Sequence, residues 1–149
     1  MRDIRSIFYK PDWIPRVGTP MFAQVRSRMT GRWKGVIISE GLEEPSLLNG
    51  FDVYRARISK NDQPIDDRGH KERWHLYWVR ATDKQIEALS SQIKDGWYAH
   101  FWKDKKKLVA VFRGKKFEFK SRDKSTWNEA VEYGKSVGIP EEQLDFPTN

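Results

Sequence analysis

Three histidines, His70, His75 and His100, carry the side chains of this chain that titrate near neutral pH. His70 lies in a polar segment, whereas alternation along two predicted strands assigns His75 and His100 to one sheet face. If those strands are close, the two imidazoles bind a metal ion or share acid–base catalysis, with acidic residues of segment 60–72 nearby. Neither histidine has the spacing of a known metal or catalytic motif. We therefore predict no metal site and no cofactor, and the sequence leaves an enzymatic function open.

Basic side chains are concentrated in one segment of the chain. Residues 94–124 contain eleven Lys or Arg and four Asp or Glu, whereas the remainder contains 17 of each class. The whole net charge of +7 therefore falls in this segment. A local basic field attracts polyanions such as nucleic acid, although lysines in turns and on edge strands also serve solubility. Two parts of the segment meet at one edge of a predicted three-stranded meander and supply the candidate cations: Lys103, Lys105, Lys106, Lys107, Lys120, Arg122 and Lys124.

Polar and aromatic side chains alternate with apolar ones along three predicted strands. Side chains alternate between the two faces of a strand, so each strand divides into two sets. We assign one set to a face under the helices and the other to a half-exposed face, where rings would stack on bases and arginines would bind phosphates. The alternative is that the first fifty residues cover this face and bury its rings. The candidate residues of the half-exposed face are Arg55, Arg57, His75, Tyr77, Tyr98, His100 and Trp102.

Length and composition limit the classes of protein to consider. The chain has 149 residues, no cysteine, seven tryptophans and eight phenylalanines, so it predicts one domain, 1–149, with an aromatic core and no disulfide. The longest apolar run, "LVAVF" at 108–112, is far shorter than the roughly 20 residues of a membrane span. The dense charges of the first ten residues do not fit a signal peptide. We expect a cytoplasmic protein without a membrane partner.

The N-terminal half predicts strands and loops. Three prolines in residues 1–20 indicate an extended arm. Residues 21–72 hold N-terminal strands and loops, with strands expected at about 21–28, 33–38 and 51–59, an acidic loop at 40–50 and a polar loop at 60–72.

The C-terminal half, 73–146, predicts a β-α-β-β-β-α module. Thr82, followed three residues later by Gln85, forms a capping-box pattern at the start of the first helix, and Gly96 suits the turn after it. Short turns between the later strands favour antiparallel neighbours. The strands are expected at 73–81, 97–102, 107–112 and 116–120, the second helix at 125–137, and a further helical turn after Pro140.

This order of elements predicts an α+β fold, with a mostly antiparallel sheet of about six strands and two main helices packed on one face. The leading functional hypothesis is a small, non-enzymatic binding domain for a polyanion, with single-stranded or structured nucleic acid as the expected class. A second hypothesis is a protein-interaction or regulatory domain, whose partner binds the aromatic face or the acidic loop. A third is a small-molecule or metal site at His75 and His100.

Overall fold

The described part of the chain is built around a six-stranded antiparallel sheet. The structure is a computed structural model, and it describes residues 32–148. In chain order the long strands are β1 (Trp33–Ile38), β2 (Asp52–Ile58), β5 (His75–Ala81), β6 (Tyr98–Lys103), β7 (Lys107–Phe112) and β8 (Lys115–Lys120). Their spatial order is β2-β5-β1-β6-β7-β8. Strands β3 (Gln63–Pro64) and β4 (Lys71–Glu72) form a separate two-stranded ladder within the predicted loop 60–72.

Two α-helices follow the order that the sequence predicts. Helix α1 (Asp83–Leu89) begins at the predicted capping box, in which Thr82 and Gln85 each accept a hydrogen bond from the other's backbone N–H. Helix α2 (Asn128–Ser136) follows a short 3₁₀ helix, Lys124–Thr126. Within residues 32–148, no helix has the length and apolarity needed to cross a membrane. The predicted α+β fold with six antiparallel strands and two main helices is confirmed.

Strand β1 occupies the centre of the sheet and pairs with both β5 and β6. The sheet of residues 73–146 therefore includes two strands, β1 and β2, from outside that segment. Gly35 makes this arrangement possible, because a Cβ at its position would lie only 2.1 Å from Cδ1 of Phe101. The predicted arm, 1–20, and the predicted strand at 21–28 lie outside the described residues, and the single domain over 1–149 stays a prediction.

Each face of the sheet has its own apolar core. The α1 face carries Gly35, Val79 and Phe101, which are neighbours across three strands. The buried residues of helix α1, Ile86 and Leu89, pack into this core. The opposite face, which we call the α2 face, carries the side chains one residue further along each strand. On it Val36 is the cross-strand neighbour of both Trp78 and His100. Ala130 of helix α2 packs into the core of that second face.

The two helices therefore lie on opposite faces, which corrects the prediction that both pack on one face. Strand β7 shows the physical reason, since Leu108, Val109, Ala110, Val111 and Phe112 are all buried. Because consecutive side chains point to opposite faces, a strand that is apolar at every position needs cover on both sides. The run "LVAVF" already contained this signal.

Candidate functional site

The structure divides the predicted half-exposed face between the two sides of the sheet. Tyr77 lies beside Ile37 of β1, which belongs to the core of the α1 face, and His75 shares the face of Tyr77 by alternation. Tyr98, His100 and Trp102 lie on the α2 face. The prediction of one common face is therefore wrong. Alternation within each strand defined two sets correctly, but only the register between strands decides which sets lie together.

His75 and His100 are consequently on opposite faces and cannot share a metal ion or a reaction. The Nδ1 atom of His75 is 2.8 Å from Oε2 of Glu40, whose Oε1 accepts a hydrogen bond from the His75 backbone N–H. His100 is only 6% exposed, and its Nε2 donates to the carbonyl oxygen of Pro147. Among the described residues, no group of three or more potential ligands could hold a metal ion.

The rings predicted to stack on nucleic acid are covered by the C-terminal segment. Phe146 is 1% exposed, and its ring centroid lies 5.4 Å from that of Tyr98 and 6.0 Å from that of His100. Trp102 is buried. Burial raises the pKa of the Tyr98 hydroxyl, which donates to the carbonyl of Gln143, and lowers the pKa of His100. These rings are core residues, as the alternative prediction had it, but the described segment that covers them follows α2.

Arg55 and Arg57 lie on β2, an edge strand whose only partner among the described strands is β5. The guanidinium of Arg55 lies 4.1 Å from the centroid of Trp78, a cation–π contact that orients the side chain. The same strand exposes Val53, Tyr54 and Ile58, with Ile58 57% exposed. These are the exposed apolar residues that the hypothesis of a protein partner requires, and that hypothesis stays a prediction.

The predicted meeting of basic segments is present at the far end of β6, β7 and β8. We call this the basic edge, and it comprises Lys103, Lys105, Lys106, Lys107, Lys120, Arg122 and Lys124. Lys107 lies directly across from Lys103 on one side and from Lys120 on the other. Such cross-strand neighbours have Cβ atoms about 5 Å apart, so these three lysine side chains leave the sheet from one row.

Two hydrogen bonds join the turns that carry the remaining cations of the basic edge. The backbone N–H of Ser121 donates to the Lys106 carbonyl at 2.9 Å, and its hydroxyl donates to the Lys105 carbonyl at 2.6 Å. Asp104 and Lys105 have positive φ values of 55° and 54°, which are characteristic of a tight turn. Both lysines of this turn, Lys105 and Lys106, are exposed beside the segment that carries Arg122.

The cations of the basic edge lack carboxylate partners among the described residues. None of its seven cations forms an ion pair with a carboxylate of the described residues. Asp123, an acidic neighbour, accepts hydrogen bonds from the backbone and hydroxyl of Ser125, which lower its pKa and keep it ionised. Lys103 and Lys124 instead approach rings, at 5.8 Å from Trp33 and 5.5 Å from Trp127.

A shallow depression of about 450 Å³ lies at the basic edge. It is lined by Lys105, Ser121 and Arg122, together with Trp127 and residues 146–148 of the C-terminal segment. Trp127 is half-buried, and its Nε1 donates to the Lys120 carbonyl at 2.7 Å. Residue 127 falls within the helix predicted at 125–137, so its position beside the lysines was missed.

A second, larger depression is a groove of about 920 Å³ on the α2 face. We call it the sheet groove, and its floor is formed by Val36, Leu76, Trp78 and His100. Segment 64–67 and residues of the C-terminal segment line its sides. The sequence does not predict this groove, because the loop 60–72 and the turn after Pro140 come together only through tertiary structure. Acidic residues in both segments were the one available signal.

Comparison of the chain with protein-family models, with curated proteins and with solved structures finds no match.

Proposed function

We propose that the protein binds nucleic acid, single-stranded or structured, through the phosphate backbone at the basic edge. The observation that carries this proposal is the convergence of seven cations that have no carboxylate partner among residues 32–148. Cations that already form ion pairs would have to exchange one anion for another, whereas unpaired lysines bind phosphates with release of counterions. Lysine supplies charge without the planar, two-pronged geometry of arginine, so this surface favours backbone binding over base recognition.

The proposal differs from the sequence-based hypothesis in the role of the rings. Tyr98, His100 and Trp102 pack in the core of the α2 face, and Phe146 contacts the rings of Tyr98 and His100, so we assign them no stacking on bases. Trp127 is the half-buried ring beside the basic edge and the depression. Arg55 and Arg57 lie on the edge strand β2, at the opposite edge of the sheet from β8, so they take no part in the proposed contact.

The salt dependence of binding tests the proposal. A fluorescently labelled single-stranded oligonucleotide is titrated with protein at several salt concentrations, and anisotropy gives the dissociation constant. Each phosphate contact contributes about −0.7 to the slope of log K against log salt, so seven cations allow a slope no steeper than about −5. Replacing Lys106, Lys107 and Lys120 with glutamine is expected to make the slope shallower by about 2. Absence of binding at low salt would refute the proposal.

A matched variant separates the basic edge from net charge. Lys60, Lys71 and Lys84 are also exposed and lie outside the basic edge, so their replacement with glutamine removes the same three charges. We expect this control to retain most of the affinity and the original slope. Equal losses in the two variants would mean that net charge, and not the basic edge, attracts the oligonucleotide.

A further inference from the structure

The sheet groove has the size of a small-molecule site. Its volume of about 920 Å³ lies within the range of roughly 300–1,000 Å³ that is typical of ligand pockets. Side chains of the three central strands β5, β1 and β6 form the floor. Each of these strands is paired on both sides, so no free row of backbone groups is available for an extended peptide. This geometry favours a compact ligand.

Two tryptophans form one end of the sheet groove. The ring centroids of Trp74 and Trp97 are 5.3 Å apart, and the ring planes are inclined by 54°. The Nε1 of Trp74 donates to the Pro64 carbonyl at 3.0 Å, which holds this ring beside the segment that continues to Asp66 and Asp67. Pairs of indole faces attract organic cations through their π electrons, and a desolvated position strengthens this attraction.

The lining of the sheet groove is negatively charged, although the chain as a whole is positive. Its carboxylates outnumber its cations, since Lys94 is the one Lys or Arg side chain that lines it. Of the five acidic residues in the lining, Asp66 lies within hydrogen-bond distance of His70. The other four make no ion pair or side-chain hydrogen bond with described residues. The acidic lining residues are Asp66, Asp67, Asp95, Glu142 and Asp145.

Neither His100 nor the arginines of β2 add a cation to the lining of the sheet groove. Burial lowers the pKa of His100, so this imidazole is neutral at neutral pH and donates from Nε2 to Pro147. Arg55 and Arg57 lie across from Trp78 and Leu76 of the floor but do not line the sheet groove. Among the acidic residues that line the sheet groove, Asp95 precedes Trp97 by two residues.

We propose that the sheet groove binds a small organic cation with an apolar body. The apolar body lies on Val36 and Leu76, and the ammonium or guanidinium group lies at the Trp74–Trp97 end, near Asp67 and Asp95. This site is distinct from the basic edge, although Pro147 lines both the sheet groove and the depression at the basic edge. It takes a ligand of opposite charge, so either proposal can fail without the other.

Two probes that share a ring and differ in charge test this inference. Naphthylethylamine is a cation near neutral pH, and naphthylpropionate carries the same ring on a chain of matched length that ends in a carboxylate. Isothermal titration calorimetry on the full chain is expected to show binding of the amine at least about tenfold tighter than that of the acid. Equal affinities, or no binding of the amine at millimolar concentration, would overturn the proposal.

Charge variants then locate the ammonium group. Asp67 and Asp95 are exposed and make no side-chain hydrogen bond with described residues, so we expect Asp67→Asn with Asp95→Asn to leave the fold intact. We expect this double variant to weaken amine binding about fivefold and to leave the acid unchanged or bound more tightly. Glu118→Gln with Glu129→Gln changes the same charge at exposed positions outside the sheet groove and should have no effect. An equal loss in both double variants would contradict the assignment.

Discussion

Residue types alone indicated chemistry for His100 that its environment does not support. An imidazole among tyrosine and tryptophan on a strand could stack on a base or bind a metal ion. In the structure, its Nε2 donates to the Pro147 carbonyl, and this bond requires the proton to be on Nε2. Burial lowers the pKa of His100 by making the charged form unfavourable, more than this bond and the charge of Asp145 raise it. The residue is therefore a neutral core histidine.

The lowered pKa of His100 predicts a pH dependence of stability. In the unfolded chain this imidazole titrates near pH 6.5, and in the folded chain it titrates lower. Between these values the unfolded state binds more protons, so the free energy of unfolding falls as the pH drops below about 6.5. Urea denaturation between about pH 7.5 and 5.5 should show a smaller decrease for His100→Gln, whose amide can still donate to Pro147.

The comparison with wild type isolates His100 from the other titrating groups. His70 and His75 are present in both proteins, so they affect both curves equally. The carboxyls of Glu44, Asp66 and Asp123 have pKa values lowered below 4.5 or 3.8 by their hydrogen bonds, and they titrate below this pH window. Identical decreases in wild type and His100→Gln would show that His100 is not neutral in the folded state.

At the scale of elements, the segment after α2 decides what the α2 face can do. The 3₁₀ turn Glu141–Gln143 and the residues that follow bring Leu144 and Phe146 onto the sheet, where both are buried. Phe146 contacts four rings, those of Tyr98, His100, Phe119 and Trp127. This segment converts a predicted binding surface into a second core and at the same time forms one side of the sheet groove.

Truncation of Phe146 measures how much this segment contributes to the fold. Phe146→Ala removes a buried ring and leaves a cavity, so we expect the free energy of unfolding to fall by about 3 kcal/mol or more. Ile58→Ala, at an exposed position of the edge strand β2, should change it by no more than about 0.5 kcal/mol. Urea denaturation gives both values. Similar small losses in the two variants would mean that the C-terminal segment does not cover the sheet in solution.

At the scale of the whole described unit, charge of opposite sign is separated along the sheet. Strand β6 begins at Tyr98, which lines the sheet groove, and ends at Lys103 of the basic edge. Six residues of strand span roughly 20 Å, whereas salt at about 0.1 M screens charges beyond about 10 Å. The net charge of +7 therefore describes neither region.

This separation predicts that the two proposed sites bind their ligands independently. At about 0.1 M salt, saturation with the oligonucleotide should change the dissociation constant of naphthylethylamine by less than about twofold, because the charges are screened over this distance. Calorimetry with and without oligonucleotide measures the difference. A change of tenfold or more, in either direction, would mean that the two regions act as one site.

Local sequence signals determined most of the secondary structure. Thr82 and Gln85 marked the start of α1, and short turns with lysine predicted the β6-β7-β8 meander. The same turns placed Lys107 beside Lys120, so the basic edge was predictable as a cluster of charge. These features depend on hydrogen bonds and pairings between residues that are near one another in the chain.

Long-range pairing decided the rest. Only the insertion of β1 between β5 and β6 sets which alternating sets share a face, and a shift of one residue reverses every side chain. Both sets of β6 are rich in rings, so apolarity could not show which set shares a face with His75. The register between strands places His75 and His100 on opposite faces. The sheet groove likewise joins segments from near Pro64, Trp97 and Asp145. The sequence determined the elements and the place of the charge, whereas the tertiary structure decided which rings are buried and where a cavity remains, because burial depends on contacts between distant segments.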